Sequence, residues 1–322
     1  ITGDSKKPRL LFSEDDNGRT VVNRVKNINP YLIDAPNVIV KSRNKPLSDL
    51  NEMSFGNMPN EGGFLLLSIE EGQEAIGKFG VHKDFIRPFI GSQEFINGRE
   101  RRCIWITDKH QFKIAQANKW LKQRFKSVQL KRYESDRPTT KKLGDIPYQF
   151  GEVRQTGLER AIIVPRVTSE NRKFLPVGLI AKHSIISDSA FAIYDASIWN
   201  MALIASRLHL IWVATVCGKL KTDFRYSNTL GWHTFPVPKL TEKNKNDLVR
   251  CAENILLARE HHFPKTIAEL YEQDSMPPDL KDAHFQNDET IERIYIGRRF
   301  KNDSERLGKL FDLYLKLSTL KS

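Results

Sequence analysis

The sequence predicts a mixed α/β domain built on a curved sheet, followed by a small all-helical unit. Three observations lead there. Short runs rich in β-branched and aromatic residues, punctuated by Pro165, Pro176 and Gly178, crowd residues 161–193. Apolar residues recur at three- and four-residue steps in separate stretches on either side of that region. Beyond Pro236 and Pro238 only helical periodicity remains, which sets a boundary near residue 238 and units of 1–238 and 239–322. At 322 residues and 39% apolar content the chain can bury a sizeable core and has the length for two domains.

Each element follows in order. Residues 36–43 (PNVIVKSR) read as a strand, and the Gly56, Pro59 and Gly62-Gly63 stretch after them as loop. At Ser68 the period changes, with Glu70 and Glu71 behind it starting a short helix, and HKDFIRPFI continues as an extended or turning segment. RRCIWITD at 101–108 alternates as a strand, and residues 110–131 carry apolar steps at Ile114, Ala117, Leu121, Phe125 and Val128 that predict one long helix. Runs at 161–164, 174–180, 184–186 and 190–193 are strands; 199–216 is a buried helix ending at Gly218; and 219–226 alternates as a single strand. Thr241 is a cap for the first of several tail helices.

Charge narrows the function. The net charge of +12 is local: Lys+Arg against Asp+Glu is 13 to 14 in residues 1–100, 13 to 3 in 101–143, 11 to 6 in 151–239, and 14 to 15 in 240–322. A basic middle with Trp105, Phe112, Trp120, Phe125 and Tyr133 interleaved suits a polyanion, since each neutralised phosphate releases counterions. A solvated basic helix is the bland alternative. No run of 18 uncharged apolar residues and no signal-peptide pattern occur, so a soluble cytoplasmic protein without membrane contact is expected. The start at Ile1 and its mid-domain character suggest a piece of a longer polypeptide.

Chemistry leaves little trace. Cys103, Cys217 and Cys251 are far apart, without disulfide or zinc spacing, and are expected as buried small apolar groups. His261-His262 would diverge on a helix and read as surface residues. The NPY at 29–31 is similar to the loop that holds the target amine in amino-methyltransferases, but lacks the second proline and any glycine-rich methyl-donor turn upstream. EGGF at 61–64, Gly91-Ser92 and PPDLK at 277–281 likewise lack the companions of a P-loop, a nucleophile elbow or a magnesium site. No catalytic residue and no metal site are therefore predicted.

The stretch CGKLKTDFRYSNTL at 217–230 is the informative one. On one strand, Lys219, Lys221, Asp223 and Arg225 share a face at about 7 Å spacing. A guanine offers two acceptors to a cation while its cytosine offers an amino group to a carboxylate, so Lys221 beside Asp223 suits one G·C pair and Arg225 a neighbouring pair. An acid aimed at a polyanion weakens binding unless it makes a specific hydrogen bond, which makes Asp223 the most telling residue. A surface strand with alternating charge is the alternative.

Taken together, FGEVRQTGLERAIIVPRVTSENRKFLPVGLIAKHSIISDSAFAIYDA, SRLHLIWVATVCGKLKTDFRYSNTLGWHTFPVP and IAELYEQDSMPPDLKDAH resemble the C-terminal part of MmeI-like restriction-modification proteins. So do NINPYLIDAPNVIVKSRNKPL, FIRPFIGSQEFINGRERRCIWI and SERLGKLFDLY, all in the same order from about residue 27 to about 318. The resemblance implies a target recognition domain, with residues 1–26 a remnant of a preceding methyltransferase domain of the same polypeptide, and a helical tail. It implies double-stranded DNA as partner, and S-adenosylmethionine and Mg2+ as cofactors of the parent adenine methyltransferase and nuclease, with none in this chain. Base readout is implied at Lys221, Asp223 and Arg225 and near Ser189, and the Lys-then-Asp order implies guanine on the corresponding strand. Arg166, Arg172, Lys173, Arg207 and Lys219 are candidates for phosphate contacts, or else for internal ion pairs. A single-stranded RNA-binding module is the competing class.

Overall fold

The computed structural model describes residues 9–14, 19–220 and 223–320. It opens with an antiparallel hairpin, β1 (Arg9–Glu14) and β2 (Thr20–Val25). Residues 36–43 are not a strand. Their amides are taken up by distant groups instead: Val40 donates to the Tyr31 hydroxyl (3.0 Å), Lys41 to the Tyr314 hydroxyl (3.2 Å) and Arg43 to the Thr229 carbonyl (3.0 Å). An extended segment can thus satisfy its backbone without a ladder, and local alternation does not distinguish the two cases.

A lobe with its own core follows β3 (Ser54–Phe55). It holds β4 (Leu66–Leu67), α1 (Ile69–Gly77), β5 (Ile86–Ile90), α2 (Ser92–Asn97), β6 (Arg102–Ile104), α3 (Lys109–Ala115), α4 (Lys119–Tyr133) and α5 (Pro138–Lys142). Ser68 caps α1 as expected, exchanging hydrogen bonds with Glu71. The single helix expected over 110–131 is two. The first ends at Ala115, and Asn118 caps the second, accepting from the amides of Trp120 (3.0 Å) and Leu121 (3.1 Å), a local side-chain alternative that apolar periodicity does not register. The interleaved aromatics mostly face inward: Trp105 and Phe125 are buried, while Phe112 and Trp120 pack against the same core.

Both ends of this lobe meet at a neck. Met58 and Glu152 exchange backbone hydrogen bonds (3.1 and 3.0 Å), and Arg132, 1% exposed, donates to the carbonyls of Pro59, Asn60, Leu143, Ile146 and Gln149. A residue counted in the basic stretch is therefore an internal clamp.

The main sheet comprises β7 (Ala161–Pro165), β9 (Gly178–Ile180) and β11 (Ala190–Tyr194) in the order β3-β11-β7-β9, all antiparallel. Between them lie β8 (Val167–Thr168) and β10 (Ile185–Ile186); the latter pairs in parallel with β5 and joins the sheet to the lobe. Alternate side chains of β7 and β11 serve different cores. Ile162, Val164, Phe191 and Ile193 face the helices, while Ala161, Ile163, Ala190 and Ala192 face Ile186 and Ile180, with Ile90 and Phe95 packed alongside. Burial on both faces explains why these strands read as continuous apolar runs.

Ser206 splits the helix expected over 199–216 into α6 (Trp199–Ile204) and α7 (Arg207–Val216), its hydroxyl accepting from the His209 amide (3.2 Å). β12 (Lys219–Leu220) and β13 (Asp223–Arg225) follow, then a wide turn in which the His233 amide reaches the Asn228 carbonyl (2.8 Å). The tail is α8 (Glu242–Glu260), α9 (Ile267–Leu270), α10 (Pro278–Ile296) and α11 (Asp303–Leu320), with Thr241 capping α8 as expected. One apolar core runs through sheet and tail alike, from Ile33 to Tyr314, so packing does not divide at residue 238 where composition does. Among the described residues no helix is long and apolar enough to cross a membrane.

Candidate nucleic-acid interface

The single strand expected over 219–226 is a hairpin. β12 pairs antiparallel with β13, Lys219 opposite Phe224 and Leu220 opposite Asp223, and β13 pairs on its other side with β8 through Phe224↔Thr168 and Arg225↔Val167. This pairing takes Lys219 off the face that Asp223 and Arg225 share. Asp223 and Arg225 keep their alternate positions on β13, half-exposed and exposed respectively, whereas Lys219 occupies the register position of Phe224. Lys221, the expected partner of Asp223, lies outside the described residues.

Asp223 has a cationic neighbour that the sequence reading assigned elsewhere. Residues 169–172 turn back after β8, and Arg172 Nη1 comes to 3.5 Å from Thr168 Oγ1, beside the register position of Phe224. Burial lowers the Arg172 guanidinium from its usual pKa, and the negative charge of Asp223 opposes that shift. Lys173, next along, is exposed.

Ser189 is exposed on the loop between β10 and β11, and the structure brings it to the same region as β13 through Arg166. The Arg166 amide donates to Ser92 Oγ (3.3 Å), Ser92 Oγ donates to the Ser189 carbonyl (2.5 Å), and the Arg166 guanidinium donates to the Asp188 carbonyl (2.9 Å) while lying over the rings of Phe55 (4.8 Å) and Phe191 (5.8 Å). On its other side the Arg166 carbonyl accepts from the Tyr226 amide (2.9 Å). Arg166 thus links the Ser189 loop to the hairpin, and a phosphate contact would compete with these bonds. Arg207 is likewise engaged: its guanidinium pairs with Asp303 of α11 and its amide donates to Asp288 of α10 (2.7 Å).

Two glycines that read only as punctuation, or as a failed motif, lie against this loop. A Cβ on Gly56 would meet the Ser187 carbonyl oxygen at 2.3 Å, and one on Gly91 would meet Ser189 Oγ at 2.1 Å. At Gly56, which faces backbone atoms, only a bare backbone lets the 187–189 loop sit so close. Such close approach between remote segments has no local sequence signal. The same holds for Tyr226, whose hydroxyl lies 2.8 Å from His209 Nε2 in the core.

The cysteine and histidine expectations hold. Cys103 and Cys251 are buried and Cys217 half-buried, His261 is exposed, and His262 bonds Asp279 at the surface (2.8 Å). Among the described residues no group of three His, Cys, Asp or Glu could hold a metal ion. On α4 the exposed Lys119, Lys122 and Lys126 form a stripe at three- and four-residue steps and make no ion pair among the described residues, in contrast to Arg124, which pairs with Glu71 (2.9 Å).

The mixed α/β body thus carries a short charged hairpin directly after α7, a helix that shares its core with the α-helical tail. Residues 34–239 match the family model described as MmeI, target recognition domain, and residues 240–320 match MmeI, C-terminal domain, so the chain belongs to the MmeI family. It is 40% identical over 315 residues to DNA methyltransferase A of Bacillus subtilis (strain 168), covering 98% of this chain and 35% of that protein. It also superposes, at TM-score 0.86 and 31% identity, on the Type IIL restriction-modification enzyme MmeI solved in complex with DNA, covering 98% of this chain and 42% of that one. The mixed α/β architecture with a helical C-terminal region is common to both structures, and the resemblance seen in the sequence holds along the chain. The chain spans about a third of the length of the curated relative it matches.

Proposed function

We propose that this chain reads a short duplex DNA sequence as the recognition module of a DNA methyltransferase polypeptide. The observation that carries the reading is the half-exposed Asp223 alternating with exposed Arg225 on β13, tied through Arg166 to the Ser189 loop. An acid in a basic surface is unfavourable near phosphates unless it accepts a hydrogen bond that phosphates cannot supply, and a base amino group in the major groove is such a donor. The neighbouring Arg172 offsets the repulsion between Asp223 and the DNA backbone. With Lys221 contributing the cation, the pair suits a G·C base pair, guanine to the lysine and cytosine to the aspartate; Arg225 and Ser189 address adjacent pairs.

Affinity without sequence preference is assigned to backbone contacts, with Lys173, Lys219 and the lysine stripe of α4 as its sources. Likeness to an enzyme solved with DNA supports the partner, and likeness to a protein named a DNA methyltransferase supports the context. The reading extends to a cytoplasmic parent polypeptide in which a preceding domain binds S-adenosylmethionine and methylates an adenine turned out of the duplex, and in which Mg2+ serves a nuclease. This chain supplies recognition and no chemistry of its own.

Exchanging Lys221 and Asp223 in the longer polypeptide and mapping the methylated sites tests the assignment. The expected result is inversion of one G·C pair in the recognised sequence; an unchanged sequence sinks it. Preference for single-stranded RNA over duplex DNA would favour the competing class, and methyl transfer by the isolated chain would contradict its non-catalytic role.

A further inference from the structure

The hairpin has a fastening that base contact alone does not require. Tyr226 follows Arg225, is 3% exposed, and is held at both ends: its amide by the Arg166 carbonyl (2.9 Å) and its hydroxyl by His209 Nε2 (2.8 Å). Gly231 packs beside the ring: a Cβ there would lie 3.2 Å from Val213 Cγ2 and 3.3 Å from Cys217 Sγ, and in ordinary contact, 3.4 Å, with Tyr226 Cζ. His209, on α7, is fully buried, with Trp232 and Phe235 edge-on at 5.6 and 4.6 Å. Its other nitrogen, Nδ1, has no partner among the described residues. Burial lowers His209 to about 3 and raises Tyr226 well above its usual range, so both stay neutral and the bond persists across physiological pH.

This pair is a poor way to build a core. An unpaired buried nitrogen costs free energy that two apolar residues of similar shape would avoid. What the polar pair supplies is direction, because a hydrogen bond fixes ring position where apolar packing tolerates sliding. Its location gives that direction a use, one residue from Arg225 and three from Asp223. The supporting helix is itself held from behind, Arg207 by Asp303 and Asp288, and Trp212 by the rings of Phe311 (5.2 Å) and Tyr314 (5.8 Å).

We infer that the Tyr226–His209 hydrogen bond is a positioning device that sets the height and angle of β13 over the duplex, making Tyr226 and His209 specificity-determining residues that never touch a base. The inference rests on β13 being the base-reading strand. It gives the helical tail a role: α10 and α11 hold α7, α7 holds Tyr226, and Tyr226 holds the reading residues.

The test compares Tyr226→Phe with Tyr295→Phe in the full chain. Both remove one buried tyrosine hydroxyl, the second from the bond that Tyr295 of α10 makes to the Pro236 carbonyl (2.8 Å), which does not involve Tyr226 or His209. Each variant selects from a randomised duplex DNA pool, and bound sequences are counted. Tyr226→Phe is expected to weaken base preference at the positions facing the hairpin by about five- to tenfold, with the salt dependence of binding unchanged because no phosphate contact is lost. Tyr295→Phe is expected to keep the selected motif. The double change Tyr226→Phe with His209→Leu is expected to melt no lower than Tyr226→Phe yet select as loosely. A wild-type motif in either Tyr226 variant, or equal loss in Tyr295→Phe, overturns the inference. Amide hydrogen exchange at residues 223–226 separates it from the reading it rests on. Faster exchange in Tyr226→Phe alone supports the fastening and unchanged exchange overturns it, whereas a wild-type chain that selects no motif overturns base reading itself.

Discussion

Asp223 shows what one residue can disclose. Its place between cations singles it out in the sequence, and the structure adds Arg172 beside it and its half-exposed position on the central strand of the hairpin sheet. Asp223→Ala should lower affinity for the recognised duplex by about 1–3 kcal/mol while leaving binding to unrelated duplex unchanged or tighter, as titration with both DNAs would show. An equal loss on both would mean that the residue stabilises the hairpin instead. Asp288 was not legible in the same way. Burial raises its carboxyl to about 7, far above the ordinary value of 3.8, although the Arg207 amide donates to it. The protonated form therefore favours the folded state: its contribution is complete below about pH 4 and is lost as pH rises through 7, by up to about 1.4 kcal/mol per pH unit. Asp288→Asn should flatten that part of the stability profile, which melts between pH 4.5 and 8 would reveal; parallel profiles for both proteins would refute it. Arg132 is the converse case, a cation that composition assigns to solvent and folding assigns to five carbonyls. Its partners lie 11 to 73 residues away in the chain, beyond any periodic signal.

Among elements, legibility followed how local their causes are. The tail helices, whose caps and breakers sit within four residues of their ends, were readable, as were α1 and the apolar runs of β7 and β11. The breaks at Asn118 and Ser206 were missed because apolar spacing continues through them and only a capping side chain marks the interruption. Asn118 also ties α4 to the preceding chain, its amide group donating to the Phe79 carbonyl (2.7 Å). Asn118→Ala should thus cost about 1–2 kcal/mol, readable as a lowered urea midpoint with an unchanged slope. The pairing of β12 with β13 was missed for a different reason: residues 217–226 contain none of the Asn-Gly or Asp-Gly chemistry that usually signals reversal. The stripe on α4 offers a test at this scale. Replacing Lys119, Lys122 and Lys126 with glutamine should reduce the slope of log affinity against log salt by up to about 3 while leaving the selected motif intact. An unaltered slope would place those lysines away from the DNA.

For the whole molecule, composition and packing draw different borders. Charge and proline place one near residue 238, yet the core that includes Trp212 and Phe235 also includes Ile255, Ile291 and Phe311. Cutting the chain there would bare those surfaces, so residues 1–238 alone should be insoluble or bind an apolar dye strongly; a monodisperse, cooperatively melting product would show that the tail is dispensable for folding. A separation the sequence did not suggest is the neck where Met58 and Glu152 meet, sealed by Arg132. Because polypeptide enters and leaves the lobe through neighbouring residues, the lobe is a cassette whose loose ends already lie side by side. A counterpart from a relative could be spliced in there with two junctions, provided that it keeps the serine that bonds Ser189 and Arg166 and the strand that pairs with β10.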